Sequence, residues 1–346
     1  LKLATPVAFK STISKAGHNG IMIKGAKSIE ALNSADTFVF DKTGTLTAGE
    51  LEVISVESYS DKWSEDEILN LTASTEEHYS HPVAEAVVKA AKQRGFVHMH
   101  HEEVEFIVAH GVKTEVNGKS VVIGSRHFLE DDEKIDFGEH KEKIENSLKN
   151  GKTLLYVGYD GKLLGTIGLS DELRSNAKES IKKLKKLGVK NIIMLTGDTK
   201  EKALKIASEL GIDEVRAELL PQDKANIVKE LMAEGKKVAF VGDGINDAPA
   251  LISAHVGISM SRGADIAKAT ADISLLKDDI AAVVEAKEYA NKTMNLINNN
   301  FNATVGINSC ILAGATFGIF SPIVTAVLHN GTTIGLLFNS IKGVKI

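Results

Sequence analysis

The chain has 346 residues, of which 43% are hydrophobic and 25% are charged, a composition typical of globular protein. Its net charge of −5 gives no reason to expect nucleic acid as a partner. Its single cysteine, Cys310, excludes an internal disulfide framework and a Cys-x-x-Cys metal site. A chain of this length predicts two or three domains.

The chain begins with an apolar segment, residues 1–9, in which Lys2 is the charged residue. This segment is too short to cross a bilayer. Because it does not start with Met, we expect it to be the end of a longer segment. Residues 11–32 are predicted to form a helix that continues from it.

A short apolar run, residues 38–40, ends at Asp41 and leads into a turn. This pattern predicts a buried parallel strand. A carboxylate at the carboxyl end of such a strand lies where open α/β sheets bind their ligands. Gly44 lets the backbone of the turn approach a ligand closely. The turn also carries three side chains that suit phosphoryl oxygens, namely Lys42, Thr43 and Thr45.

The seven residues from Asp41 to Thr47, DKTGTLT, resemble the phosphorylation motif of P-type ATPases. In that family the aspartate attacks the γ-phosphate of ATP, so the resemblance implies that Asp41 is the nucleophile and that ATP and Mg²⁺ are used. Residues 3–6, Leu-Ala-Thr-Pro, are similar to a sequence in a membrane helix of the metal-transporting members. The resemblance therefore implies that residues 1–32 are the end of a membrane helix and its stalk. The actuator domain and the first membrane helices would be missing.

Residues 49–168 combine mixed-charge helical stretches with alternating apolar segments. Turns at Asn117-Gly118 and Asp160-Gly161 are hairpin signals. We predict an α+β domain with an antiparallel sheet, and the resemblance implies that it binds the nucleotide. Histidines 98, 100 and 101 lie beside two glutamates, which suggests either a metal site or an exposed loop, and we favour the loop.

Two motifs in this region imply nucleotide contacts. Residues 76–82, Glu-Glu-His-Tyr-Ser-His-Pro, resemble the Ser-Glu-His-Pro signature of metal-transporting P-type ATPases, so His81 is expected at adenine and Glu76 at its amino group. Residues 109–112 resemble the family's Gly-x-Gly-Val loop, with Ala at the first glycine. Gly111 and Gly124 are the remaining candidates for this pocket.

Strand–helix alternation resumes at residue 169, and two further strands are predicted to end at Thr196 and near Asp243. Right-handed crossovers should place these ends and Asp41 at the same edge of one sheet. We predict a haloacid-dehalogenase-like, doubly wound α/β phosphorylation domain made of residues 33–48 and 169–290.

The loops at this edge carry the rest of the predicted site. Residues 242–251, GDGINDAPAL, resemble the hinge motif of P-type ATPases, which implies that Asp243 binds Mg²⁺ with Asp41 while Asn246 and Asp247 support the site. Thr43 is predicted as a further Mg²⁺ ligand. The resemblance also assigns phosphate-binding roles to Thr196, Gly197, Asp198 and Lys224, and supporting roles to Asp171 and Arg174.

Thr43 occupies the position at which related phosphatases usually carry a second aspartate that acts as general acid and base. Without that group, hydrolysis of an acyl-phosphate should be slow. A slowly decaying intermediate suits a pump.

Residues 293–341 contain no Asp, Glu, Lys or Arg. We predict two transmembrane helices in residues 291–346, at 298–317 and 322–341, with the catalytic domains cytoplasmic because lysines flank the pair. The alternative is a buried helical hairpin of a soluble protein. His329 is a candidate ligand of the transported ion.

The resemblance implies ATP-driven transport of a transition-metal cation across a lipid bilayer, with this chain as the ATP-binding and phosphorylation part. Two alternatives stay open. One is a regulatory module that binds nucleotide or metal without turnover, and the other is a soluble phosphatase of the same superfamily.

Overall fold

The computed structural model describes residues 3–77, 81–107, 111–149, 153–243, 247–261 and 265–344. The chain divides into two compact units: unit 1 is Leu1–Leu46 with Leu173–Ile346, and unit 2 is Thr47–Glu172. The strands are β1 (Ile21–Ile23), β2 (Thr37–Asp41), β3 (Thr47–Ser58), β4 (Glu105–Ile107), β5 (Gly111–Val116), β6 (Lys119–Gly124), β7 (Thr153–Tyr159), β8 (Lys162–Leu173), β9 (Asn191–Leu195), β10 (Glu214–Arg216), β11 (Val238–Gly242), β12 (Val256–Ser259) and β13 (Ile273–Leu275).

The helices are α1 (Ala4–His18), α2 (Ala26–Ser34), α3 (Glu65–Glu76), α4 (Pro82–Gln93), α5 (Lys141–Lys149), α6 (Ala177–Lys186), α7 (Lys200–Leu210), α8 (Pro221–Ala233), α9 (Ala248–Ser253), α10 (Asp265–Thr270), α11 (Ala281–Thr316) and α12 (Pro322–Lys342).

The sheet of unit 1 has the order β1-β13-β12-β11-β2-β9-β10. It is parallel except for β1, which runs antiparallel to β13. Strand β2 lies inside the sheet between β11 and β9, and every residue in it is buried. Phe38 and Phe40 pack into the core on one face of the sheet and Val39 into the core on the other. A strand that is covered on both faces needs apolar side chains at successive positions, which explains the uninterrupted apolar run. The predicted α/β fold is confirmed.

The sheet of unit 2 has the order β3-β8-β7-β6-β5-β4, and the pairs from β4 to β8 are antiparallel. Both predicted hairpin turns are confirmed, since Asn117-Gly118 has φ values of 54° and 71° and Asp160-Gly161 has 53° and 74°. Two consecutive residues with positive φ match the right-handed twist of the flanking strands. Val121 and Ile123 face a core shared with α3 and α4, whereas Val122 faces a second core.

A pair of helices closes the chain, as predicted, but the first one is longer than the predicted segment. Helix α11 has 36 residues and begins at Ala281 because its first turns bury Val283 and Ala286 in the core of unit 1. Polar contacts connect α11 to its neighbours: the Thr293 hydroxyl lies 2.7 Å from that of Thr12 in α1, and the Asn300 amide donates to the Ser340 hydroxyl in α12 at 2.9 Å.

The predicted membrane spans, residues 298–317 and 322–341, fall within α11 and α12. Among the residues that the structure describes, no helix is both long enough and apolar enough to cross a bilayer. A lack of formal charge is not the same as apolarity. The polar side chains in these helices include Asn299, Asn300, Asn302, Asn308, His329, Asn330 and Asn339.

Candidate active site

Asp41 is the last residue of β2, and its side chain is buried at the carboxyl edge of the sheet. The chain then turns through residues 42–46, where Gly44 has a φ of 70°. A Cβ at Gly44 would overlap the carboxylate of Asp243. Glycine is therefore required there twice, by the backbone conformation and by the close approach of the Asp243 side chain.

Three carboxylates meet at this edge. Asp41, Asp243 and Asp247 each offer an oxygen, and these oxygens all lie within 4.8 Å of one another. They come together because β2 and β11 are adjacent parallel strands and Asp243 follows β11 directly. The backbone N–H of Asp243 donates to Asp247 Oδ2 at 3.2 Å, which holds the Asp247 carboxylate against the end of β11.

Lys224 connects two of these carboxylates. Its Nζ lies 2.8 Å from Asp41 Oδ1 and 2.8 Å from Asp247 Oδ1. The residue lies in the first turn of α8, and Pro221 begins that helix. Burial alone would lower the pKa of Lys224, but the Asp41 and Asp247 carboxylates outweigh burial and raise it above its ordinary value. Lys224 is thus a charged partner of the central carboxylates.

The charge of the carboxylates is not balanced by this lysine. Burial, followed by repulsion from Asp247, raises the pKa of Asp41 to about 7, although Lys224 acts in the opposite direction. The same two causes raise the pKa of Asp243 to about 6. Closely spaced carboxylates resist ionising together, and a divalent cation relieves that repulsion. Hard oxygen ligands of this kind suit Mg²⁺, so the residues present fit the predicted ion.

Lys42 makes a second ion pair beside this cluster. Its Nζ lies 2.7 Å from Asp198 Oδ2, and both groups are largely buried. The Asp198 backbone N–H donates to the buried Thr196 Oγ1 at 3.1 Å. Asp198 was predicted to contact phosphate through the backbone N–H groups of this loop, and that role stays a prediction. The side chain of Asp198 holds the ammonium of Lys42.

The structure gives the supporting residue Arg174 more contacts than the sequence suggested. Its guanidinium donates to the carbonyl of Thr45 at 2.9 Å, to the carbonyl of Gly44 at 3.2 Å and to Asp278 Oδ1 at 2.6 Å. Arg174 therefore fixes the backbone of the turn that follows Asp41. The partner Asp278 was missed, because its surroundings, Lys-Asp-Asp, carry no motif.

The other predicted residues of this site differ in how far they are buried. Thr196 is buried directly after β9, while Thr43 and Gly197 are exposed in the neighbouring loops. Thr45 Oγ1 is buried and has no hydrogen-bond partner among the described residues, so a bound phosphoryl group could satisfy it. Asn246 lies outside the described residues.

The predicted nucleotide contacts lie in unit 2. Glu76 is the last residue of α3 and is buried, and burial raises its pKa from an ordinary 4.5 to about 7. His81 is exposed at the N-terminus of α4, where its Nδ1 accepts a hydrogen bond from the Val83 N–H at 3.3 Å. His81 is thus a helix cap whose ring remains accessible.

The two predicted glycines face each other across β5 and β6, where Gly111 pairs with Gly124. Gly111 has a φ of 155°, and a Cβ there would overlap the carbonyl of Ile123. Helix α3 packs against β5, so the helix that ends in Glu76 adjoins the strand that begins at Gly111. Ala109 lies outside the described residues.

His329, the predicted ligand of a transported ion, lies in α12. Its Nδ1 is 3.0 Å from Asn308 Oδ1 of α11. Both residues line an open groove of about 740 Å³ between the two helices. The structure therefore brings His329 to a polar partner in α11.

Three carboxylates and a lysine shared by two of them thus lie at the carboxyl edge of a doubly wound sheet. The chain belongs to the haloacid dehalogenase-like hydrolases, whose family model matches residues 35–255.

Within that family, its relatives are metal pumps. The chain is 37% identical over 344 residues to a zinc-exporting P-type ATPase of Mycobacterium marinum, which covers 99% of this chain and 47% of the relative. It is 38% identical over 345 residues, with the same two shares, to a manganese-exporting P-type ATPase of Mycobacterium leprae.

Solved structures agree with these relatives. A zinc-transporting PIB-type ATPase in its E2.Pi state superposes with a TM-score of 0.87 at 33% identity, over 98% of this chain and 55% of that one. The resemblance to heavy-metal P-type ATPases, which hydrolyse ATP, is confirmed. The chain spans about half the length of the curated relatives it matches.

Proposed function

We propose that this chain is the ATP-binding and phosphorylation part of a pump that moves a transition-metal cation across a membrane through an aspartyl-phosphate at Asp41. The observation that carries this proposal is the arrangement of Asp41, Asp243 and Asp247 around Lys224. The relatives, which are named as zinc and manganese exporters, support the cargo class.

In the proposed reaction an oxygen of Asp41 attacks the γ-phosphorus of ATP. A bond forms between that oxygen and phosphorus, the bond from phosphorus to the bridging oxygen breaks, and ADP leaves. Such a reaction depends mainly on position and charge. Bound Mg²⁺, held by Asp41, Asp243 and Asp247 with Thr43 as a further candidate, would neutralise charge on the phosphoryl oxygens.

Lys224 and Lys42 have separate proposed roles. Lys224 lies on Asp41 Oδ1, so it holds the orientation of the nucleophile and presents a positive charge to the incoming phosphoryl group. Lys42 is positioned by Asp198 and supplies a second positive charge beside Asp41. Arg174 holds the turn of residues 42–46 in place through the carbonyls of Gly44 and Thr45.

The intermediate is expected to persist. The side chain two residues after the nucleophile is Thr43, whose hydroxyl is a poor general base at neutral pH. Water would therefore be activated slowly, and the acyl-phosphate would survive until a further part of the pump acts on it. This argues against the soluble phosphatase.

Unit 2 is proposed to bind ATP, with the exposed ring of His81 against adenine, Glu76 at the adenine amino group, and Gly111 with Gly124 where the backbone must approach closely. The support for these roles is the matching motif and the open position of His81.

The helix pair is proposed to contact the remaining membrane segments of the same pump and the surrounding lipid, with the catalytic domains on the cytoplasmic side. Its support is a large exposed apolar surface, which includes Phe301, Leu312, Phe317, Ile323 and Phe338. The actuator domain and earlier membrane helices would be further partners, and His329 with Asn308 is the candidate contact for the ion.

The test is phosphorylation by ATP labelled at the γ-phosphate, in the presence of Mg²⁺. We expect an acid-stable label that hydroxylamine removes and that is absent from the Asp41→Asn variant. Asp160→Asn is the matched control, because Asp160 is exposed in a hairpin turn of positive φ that Asn also adopts. A label that survives Asp41→Asn would refute the proposal. No label in the parent chain would favour the regulatory module.

A further inference from the structure

The loop between α4 and β4 carries a histidine pair that the phosphorylation chemistry does not use. The rings of His98 and His101 have centroids 5.4 Å apart and planes inclined by 57°. His98 is about half exposed, with 46% of its side chain accessible, so an ion can reach it from solvent. The distance is short enough for two imidazoles to share one ion.

In both rings Nδ1 faces a hydrogen-bond acceptor. His98 Nδ1 lies 3.0 Å from Glu77 Oε1, and His101 Nδ1 lies 2.7 Å from the carbonyl oxygen of Glu102. Because both partners are acceptors, Nδ1 carries the hydrogen in each neutral ring and the lone pair is on Nε2. Metal-binding histidines in proteins typically donate their other N–H to a carboxylate or a backbone carbonyl in this way.

The loop that presents the rings is fixed at both ends. The backbone N–H of Met99, between the two histidines, donates to Ser74 Oγ of α3 at 2.9 Å. The backbone N–H of Glu102 donates to the carbonyl of Glu115 in β5 at 2.9 Å, and Thr114 Oγ1 donates to the carbonyl of Glu102 at 3.0 Å. The ring pair is therefore attached to a helix and a strand of unit 2.

We propose that Nε2 of His98 and Nε2 of His101 form a binding site in unit 2 for a divalent first-row transition metal such as Zn²⁺. Imidazole favours Zn, Cu, Ni and Co over Mg²⁺, so this site is chemically distinct from the carboxylate cluster of unit 1. Water from the exposed side of His98 completes the coordination. The sequence alone favoured an exposed loop, because it showed neither the ring orientation nor the contacts that fix it.

The test is calorimetric titration of the whole chain with Zn²⁺ in excess Mg²⁺, in a His329→Gln background that removes the histidine of the helix pair. We expect one Zn²⁺ site whose affinity falls at least about tenfold in His98→Gln and in His101→Gln. His127→Gln is the matched control, because His127 is an exposed histidine of unit 2 that pairs with Asp131. This control should bind Zn²⁺ as the parent does.

Unchanged affinity in both His98→Gln and His101→Gln would overturn the proposal, and so would an equal loss in His127→Gln. A second measurement needs no substitution at the site. Paramagnetic Co²⁺ should broaden the ring resonances of His98 and His101 before those of His127 and His140, and the reverse order would contradict the assignment. Neither result depends on phosphorylation of Asp41, so failure here leaves the proposed function standing.

Discussion

At the scale of single residues, the ammonium of Lys224 joins Asp41, the proposed nucleophile, to Asp247. It lies at 2.8 Å from both Asp41 and Asp247 and compensates part of their repulsion. The nearby Gly44 shows how close the two loops come, since no other side chain leaves room for Asp243. Single substitutions can therefore test the charge of Lys224 and the steric fit at Gly44 separately.

Lys224→Ala should lower the initial rate of phosphoenzyme formation by about a hundredfold, because it removes the positive charge that the phosphoryl group meets. The rate is measured by rapid quench with labelled ATP. Lys229→Ala, an exposed lysine on the same helix, is the control and should stay close to the parent. A similar loss of rate in both variants would mean that removing any lysine side chain from α8 slows the reaction and that Lys224 has no special role.

Gly44→Ala should nearly abolish the label. The left-handed conformation costs a residue with a Cβ about 1–2 kcal/mol, and the added Cβ also displaces the Asp243 carboxylate. Gly211→Ala carries the same conformational cost alone, since Gly211 has a φ of 74° and open space around it. Labelling assays on both variants separate the two effects. If Gly211→Ala loses as much label, the collision with Asp243 is irrelevant.

Glu76→Gln should stabilise unit 2 at high pH. The pKa of Glu76 is raised by burial from 4.5 to about 7, so the folded state prefers the protonated form. Stability from this group is fully present below about pH 4.5 and is lost as pH rises towards 7 and above. The variant should therefore match the parent at low pH and exceed it at pH 8 by about 3 kcal/mol.

Trp63 is the single tryptophan of the chain and lies in unit 2, so its fluorescence reports denaturant unfolding of that unit. A stability difference between Glu76→Gln and the parent that does not change with pH would contradict the raised pKa.

At the scale of elements, a buried lysine connects α11 to the segment that leads into β2. The Nζ of Lys287 donates to the carbonyls of Leu32, Asn33 and Ala35 at 2.8, 2.8 and 3.0 Å. These carbonyls lie at the end of α2, just before β2 begins. Burial lowers the pKa of Lys287 to about 8, yet its ammonium donates to three carbonyls at the end of a helix, where the backbone lacks its full set of donors.

Lys287→Met should destabilise unit 1 by about 3 kcal/mol, because buried carbonyls lose a charged donor. Hydrogen-exchange mass spectrometry should show faster exchange in β2. The control is Lys292→Met, an exposed lysine of the same helix. Unaltered exchange in β2 would show that the contact does not support the strand.

Elements defined by local chemistry were predictable. The apolar run of β2 and the Asn-Gly and Asp-Gly turns each specify their conformation within a few residues. The start of α11 was not, because the prediction placed it where charged residues end, whereas the helix begins where its apolar face first meets the core. The predicted membrane spans rested on the lack of formal charge, and uncharged asparagines in the same helices were not weighed against the apolar residues.

At the scale of the whole molecule, Asp41 and Asp243 are far apart in the chain and meet because β2 and β11 are neighbours in one parallel sheet. The rule that connections are right-handed made this placement predictable. The bridge from Lys224 to two carboxylates and the pair Arg174–Asp278 were not predictable in the same way. Contacts between loops of different elements leave no periodic pattern in the sequence.

The most direct measurement of the central claim is to find the atom that carries the phosphoryl group. After incubation with ATP and Mg²⁺, borohydride reduction converts a phosphorylated aspartate to homoserine, and mass spectrometry of the peptides locates it. We predict homoserine at position 41 and none when Mg²⁺ has been removed by a chelator. Homoserine at another aspartate, or its formation at position 41 without Mg²⁺, would contradict the account.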